Sequence, residues 1–199
     1  MRTILITICI GIFVSCTNNS GNEKTEVENS VHVKPAIKNE EVRNDSPGIQ
    51  GIINVPEILT LSVRDTATVQ NISERMGIAY TNIQQDLDEL KMDVAGSPAA
   101  LFYTNDPKHM LFECIIPIAK TPAIKPKHSE VIILEPIKAV LYNFYGKYDK
   151  LYTAYEHLKN YLNENKLVQN GAAREFYVTD ISLEKDTTKW LSKIYLPIK

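Results

Sequence analysis

Between Lys138 and Asp180 the hydrophobic positions change period twice. Val140 to Tyr145 is dense in β-branched and aromatic residues and Gly146 closes it, which predicts a strand and a tight turn. Leu151, Tyr155, Leu158 and Leu162 then recur at spacings of four, three and four, the stripe of an amphipathic helix. Asp149 is placed to cap that helix, because its carboxylate can accept an orphan backbone N–H. The polar stretch from Asn165 to Gly171 predicts the stop. From Glu175 the alternation is that of a strand, with Phe176 and Val178 on one face and Glu175, Tyr177 and Thr179 on the other.

The same order occurs earlier in the chain. Leu101-Phe102-Tyr103-Thr104-Asn105-Asp106 matches Glu175-Phe176-Tyr177-Val178-Thr179-Asp180 at an offset of 74. Tyr80, Ile83 and Leu87 match Tyr155, Leu158 and Leu162 at an offset of 75, and Cys114 to Ile118 matches Ile194 to Ile198 at 80. Each half therefore predicts strand–helix–strand–strand, with repeat one at about 57–119 and repeat two at about 130–199. Ala119 to Glu130, carrying two prolines and three lysines, reads as a solvated link. Paired, the halves predict an α+β domain: tandem repeats forming one mixed or antiparallel sheet, with two helices on one face. Alternation places Phe102, Phe112, Cys114, Ile116, Phe176, Val178, Ile194, Leu196 and Ile198 beneath the helices. Leu101, Tyr103, Glu113, Ile115, Glu175, Tyr177, Lys193 and Tyr195 fall on the opposite face, and which side of the 139–145 strand joins them stays open.

Ahead of this domain the pattern is different. Met1-Arg2-Thr3 brings one charge, Ile4 to Val14 is apolar, and Ser15-Cys16 follows. Eleven apolar residues are too few to span a bilayer, so residues 1–15 read as a signal peptide. The Ser15-Cys16 junction resembles a bacterial lipobox, which makes Cys16 the lipidated N-terminus of an exported protein held on a membrane. Residues 16–56 lack Phe, Tyr and Trp and are rich in Asn, Glu, Lys and Ser, the composition of a disordered tether, with a strand or two near Ile52-Ile53 as the alternative for its last few residues. A flexible chain of that length reaches roughly 35 Å.

Charge and titratable groups narrow the chemistry further. A formal net charge of −2 from 22 basic and 24 acidic residues gives no footprint for nucleic acid. His32, His109, His128 and His157 lack metal-ligand spacing, and no phosphate loop or nucleophile elbow occurs. Neither a metal nor a cofactor is expected. Cys114 alternates with Phe112 and Ile116, as a buried inert thiol does.

Gly146-Lys147-Tyr148, the Leu151/Tyr155/Leu158 stripe, Arg174-Glu175-Phe176-Tyr177 with Asp180, and Trp190 with Ile194-Tyr195-Leu196-Pro197-Ile198 resemble the GyrI-like small-molecule-binding domain, also called the AraC-type effector-binding domain. The resemblance runs from about Pro56 to the end. It implies a groove on the helix-free face where a carboxylate meets ligands against aromatic walls, with Glu175 as that carboxylate. The ligand-binding set it implies is Tyr103, Glu113, Phe144, Glu175, Tyr177, Lys193 and Tyr195. Lys193 stands where many relatives carry a second Glu and Phe144 where they carry a polar residue. Paired to Glu113 across the groove, Lys193 would leave Glu175 as a single carboxylate, suited to neutral or singly cationic aromatic ligands. Three functional readings stay open: a small-molecule-binding module, a protein-interaction domain of the cell envelope, and a hydrolase using Glu175 as acid or base. The oligomeric state is not written in the sequence.

Overall fold

The computed structural model describes residues 45–104 and 106–199. The signal peptide, Cys16 and most of the expected tether lie outside these residues. The described chain runs β1 (Gly48–Val55), β2 (Ile58–Ala67), α1 (Ile72–Leu90), β3 (Ala99–Phe102), β4 (Met110–Pro117), β5 (Glu130–Leu134), β6 (Ile137–Tyr145), α2 (Leu151–Glu164), β7 (Ala173–Tyr177) and β8 (Leu191–Pro197). Eight strands form a single sheet in the order β1-β6-β8-β7-β3-β4-β2-β5, every neighbouring pair antiparallel.

Each half thus carries one strand more than its sequence pattern predicts, and β1 corrects the boundary of the tether, whose last residues are sheet. Strand β1 escapes a pattern search because Gly48 and Gly51 both have positive φ and a bulge falls between Ile49 and Gly51. The added strands are exchanged. β1 leads into β2 through Pro56 and Glu57 but pairs with β6, while β5 leads into β6 through Glu135 and Pro136 but pairs with β2. Such two-residue links span at most about 11 Å. In a flat sheet β1 and β2 would stand about 29 Å apart, six strand spacings. The sheet must therefore bend back on itself. Its helix-free face is the concave one: Arg174 of β7 donates from Nη2 to the carbonyl of Glu135, just past β5, at 2.9 Å across four strand intervals.

The helices cover the convex face because their stripes fit it. Ala79, Tyr80, Ile83 and Leu87 from α1, and Leu151, Ala154, Leu158 and Leu162 from α2, are buried against Leu61, Phe112, Cys114, Val140, Ile194 and Leu196. Both helices end alike. Lys91 and Lys166 take left-handed φ of 51° and 55°, and Met92 N–H and Leu167 N–H each donate 2.9 Å to the carbonyls of Leu87 and Leu162. The start of α2 differs from expectation: Tyr148–Lys150 is a 3-10 turn, Lys150 occupies the N-cap position, and Asp149 does not cap. Gly146 (φ 142°) turns the chain out of β6, and a Cβ there would sit 3.2 Å from the Phe144 ring. The link between halves is not wholly solvated. Asp86 of α1 accepts from the backbone N–H groups of Lys127 and His128, both at 2.9 Å, and from Ser129 Oγ at 2.6 Å.

Candidate functional site beneath the helices

The strand register decides where each polar side chain points. Glu113 of β4 lies opposite Leu101 of β3, and Lys193 of β8 lies opposite Phe176 of β7. Since Glu113 and Lys193 are equivalent, Leu101 corresponds to Phe176, Ala100 to Glu175 and Ala99 to Arg174. The offset in this strand is 75, not the 74 of the matched hexapeptides. A one-residue slip reverses both faces. Glu175 and Tyr177 consequently point under the helices, whereas Phe176 packs on the concave side with Ala99, Leu101 and Ile115. The expected face for Glu175, Tyr177, Phe176 and Val178 is corrected accordingly; Val178 lies past the strand and is exposed.

The expected site residues therefore separate into two groups. Phe144 joins Glu175 and Tyr177 on the convex side, buried in the helix-covered core rather than lining a groove. Tyr103, Glu113, Lys193 and Tyr195 belong to the concave face. There Glu113 is fully occupied: Ser62 Oγ donates to one oxygen, and Arg64 at 2.8 Å and Tyr103 at 2.5 Å donate to the other. Burial opposes ionisation, but the three donors and the Arg64 charge outweigh it, and the Glu113 pKa falls below the ordinary value. Lys193 does not reach Glu113. It pairs with Asp45 at 3.0 Å, and β7 and β3 stand between β8 and β4. Tyr195 meets the Phe176 ring edge-on at 5.3 Å.

Under the helices the chemistry is of another kind. Glu175 is 5 % exposed and receives two phenol hydrogen bonds, from Tyr155 of α2 and from Tyr177 at 3.1 Å. No described cation pairs with it. Burial dominates over those two donors and raises its pKa above the ordinary carboxylate range. An outer aromatic layer follows: Tyr148 lies 5.2 Å from Tyr177 and 5.5 Å from Trp190, ring centre to ring centre. Tyr80 of α1 closes the other side and donates to the Ala99 carbonyl at 2.8 Å. Burial pushes the Tyr148 phenol up to about 12, and the Cys114 thiol, fully covered, likewise to about 12. Ser192, opposite Tyr177 in the ladder, has a buried Oγ that makes no hydrogen bond.

Tyr155, Tyr80 and Tyr148 were legible as helix residues but not as the surroundings of a carboxylate. For Tyr80 and Tyr155 the signal was a tyrosine at a stripe position where leucine would fill the core without a hydroxyl to satisfy. Among the described residues no cluster of His, Cys, Asp and Glu could hold a metal ion.

Similarity to solved structures bears on the fold. The EcmrR C-terminal domain is 19 % identical, matches with a TM-score of 0.68, and covers 76 % of this chain and 98 % of its own. The protein SAV2435 bound to tetraphenylphosphonium is 16 % identical, with a TM-score of 0.55 over 76 % of this chain and 93 % of its own. A hydrolase from Listeria innocua is 11 % identical, with a TM-score of 0.54 over 77 % and 94 %. No family model matches the chain, and no curated protein does. The fold is the GyrI-like α+β fold, here an antiparallel eight-stranded sheet with two helices.

Proposed function

We propose that the domain binds a small aromatic monocation or neutral aromatic molecule, with Glu175 as the charge-bearing contact. The observation that carries this reading is a buried carboxylate held by phenols alone. An ion pair deep in a fold normally supplies its own cation. Here that position is lined by Tyr155, Tyr177, Tyr148 and Trp190, whose ring faces attract a flat or cationic guest. Occupation requires Tyr155 to leave the carboxylate, and the half-buried Tyr148 and Trp190 mark the side of entry. The solved relative holding tetraphenylphosphonium makes that cation the natural first probe.

Titration of tetraphenylphosphonium into wild type and Glu175→Gln tests the reading. Glu175→Gln keeps an acceptor for Tyr155 and removes the charge, so affinity falls by about tenfold or more. Equal affinities would refute the role given to Glu175. A second reading, proton transfer from Glu175 to a reactive electrophile, is favoured by the same raised pKa. Turnover of such an electrophile, lost in Glu175→Gln, would distinguish it from binding alone.

Anchoring rests on residues 1–16 alone. In this proposal Cys16 carries lipid and residues 17–47 hold the domain off an extracytoplasmic membrane surface. Cys16→Ser should move the protein from the detergent-rich to the aqueous phase on detergent phase separation, and a wild type already in the aqueous phase overturns it.

A further inference from the structure

The concave face holds an open pocket of about 900 Å³, separate from the site under the helices. Its polar floor is a row across three adjacent strands in which Glu113, Leu101 and Arg174 lie side by side. Glu113 is saturated by Ser62, Arg64 and Tyr103, as described above. Arg174 is not. It is 6 % exposed, its Nη2 donates to one backbone carbonyl, and its Nη1 has no hydrogen-bond partner. Among the described residues no carboxylate forms an ion pair with it. A guanidinium carries five N–H donors and does not give up its proton, so burying it with a single neutral acceptor leaves both charge and donors uncompensated.

The fold does not require a cation there. The position equivalent to Arg174 in the first half is Ala99, fully buried in the same sheet. Nor does Arg174 serve Glu113, whose charge Arg64 already balances. Beside the guanidinium Leu101, Ile132 and Leu134 pack as one apolar cluster, while Lys125, Lys127, Glu130 and Glu135 line other parts of the wall. A cationic donor set beside an apolar strip in an open pocket matches an amphipathic anion.

We propose that this pocket is a second binding site, specific for an organic carboxylate with a short apolar body. The carboxylate accepts from Arg174 Nη1, and the hydrocarbon lies against Leu101, Ile132 and Leu134. The site is chemically opposite to the one under the helices, which favours cations, and it stands independently of that reading.

Calorimetric titration of octanoate into the full chain tests the assignment, with inorganic phosphate and 1-octanol as controls. Saturable octanoate binding is expected, with each control at least about tenfold weaker because each lacks one half of the recognition. Arg174→Met should abolish octanoate binding and melt at or above the wild-type temperature, since it replaces an uncompensated charge by an apolar side chain of similar length. Ile132→Trp, which fills the pocket and leaves Arg174 in place, should also block octanoate. Glu175→Gln should leave octanoate affinity unchanged, which separates this site from the helix-covered one. Undiminished octanoate binding in Arg174→Met, or a lowered melting temperature in that variant, would show the guanidinium to be structural and overturn the proposal. So would phosphate binding as tightly as octanoate, or octanoate failing to bind at all.

Discussion

Glu113 and Glu175 stand on opposite faces of one sheet, each almost without exposure, and the protein treats them in opposite ways. Glu113 has a guanidinium, a phenol and a hydroxyl aimed at it, and its pKa is lowered although burial works against ionisation. Glu175 has two phenols and no cation, and burial raises its pKa. The first is a closed account of charge; the second is open. Comparing the halves makes the same point. Strand β3 carries Ala99-Ala100 where β7 carries Arg174-Glu175, so the architecture is content with two methyl groups at these positions. The adjacent pair in β7 puts one uncompensated cation on the concave face and one uncompensated acid on the convex face. Charges that a fold can do without, and that burial makes costly, are the residues to associate with ligands.

The largest test of the comparison treats the halves as separate chains. Because β1 pairs with β6 and β5 with β2, neither half contains the edge that covers its own sheet. Residues 45–118 alone and 119–199 alone should show no cooperative melt, whereas the two co-expressed should assemble. An independent melt from either half would break the exchange. A chain beginning at Pro56 tests the same feature more finely. It lacks β1, exposes the outer edge of β6, and should aggregate or melt well below a chain beginning at Asp45.

Within the core the halves should behave as equals. Ile83 and Leu158 occupy equivalent helix positions and are both fully buried. Truncation of either to Ala should cost about 2–5 kcal/mol in chemical denaturation, from lost transfer energy and the cavity left behind. A cost near zero at one of them would show that half to be loosely packed.

The two carboxylates should then diverge with pH. Glu175 holds its proton more tightly folded than unfolded, so it stabilises relative to its ionised form at low pH. That stability is lost as pH rises from the ordinary value of 4.5 through the raised folded pKa. Glu175→Gln should therefore melt higher than wild type at neutral pH and converge with it in acid. Glu113 has the reverse sign: its contribution is full above 4.5 and fades as pH falls through the lowered folded pKa. Glu113→Gln should melt lower than wild type at neutral pH, with the gap closing in acid. Melts from about pH 3 to about pH 8 check both. Parallel curves for the two variants would erase the distinction drawn between the faces.

The repeat, the two helices and strand β4 were legible because apolar spacing carries them directly: Leu151 to Leu162 and Phe112 to Ile116 lie where alternation puts them. Strand β1 was not, since two glycines and a bulge break its alternation. Glu175 itself stood out as a candidate, yet its face did not. The hexapeptides beginning at Leu101 and Glu175 align by side-chain likeness one residue away from their alignment in the sheet, and hydrogen-bond register, not likeness, sets the face. Arg174 was visible only as a neighbour of Glu175, because a missing partner is a property of three-dimensional surroundings.

The smallest expected effect concerns Lys193, and it sharpens which face matters. Lys193 pairs with Asp45, whose side chain is 46 % exposed, and the lysine side chain itself is 19 % exposed. An ion pair so open to water contributes at most about 1 kcal/mol. Lys193→Gln should therefore shift the melting temperature by little. Lys193→Glu sets two like charges side by side at Asp45, with a slightly larger loss that added salt reduces. Its effect on ligands is the informative part. Were Lys193 in the same groove as Glu175, the substitution would create a second carboxylate and move preference toward dicationic dyes. In this sheet Phe176 lies opposite Lys193 on the concave side, and Glu175 faces the helices. The ratio of affinities for a dicationic dye and tetraphenylphosphonium should stay at its wild-type value in Lys193→Glu. A shift toward the dication of about tenfold would place both side chains in one site and undo the separation of faces.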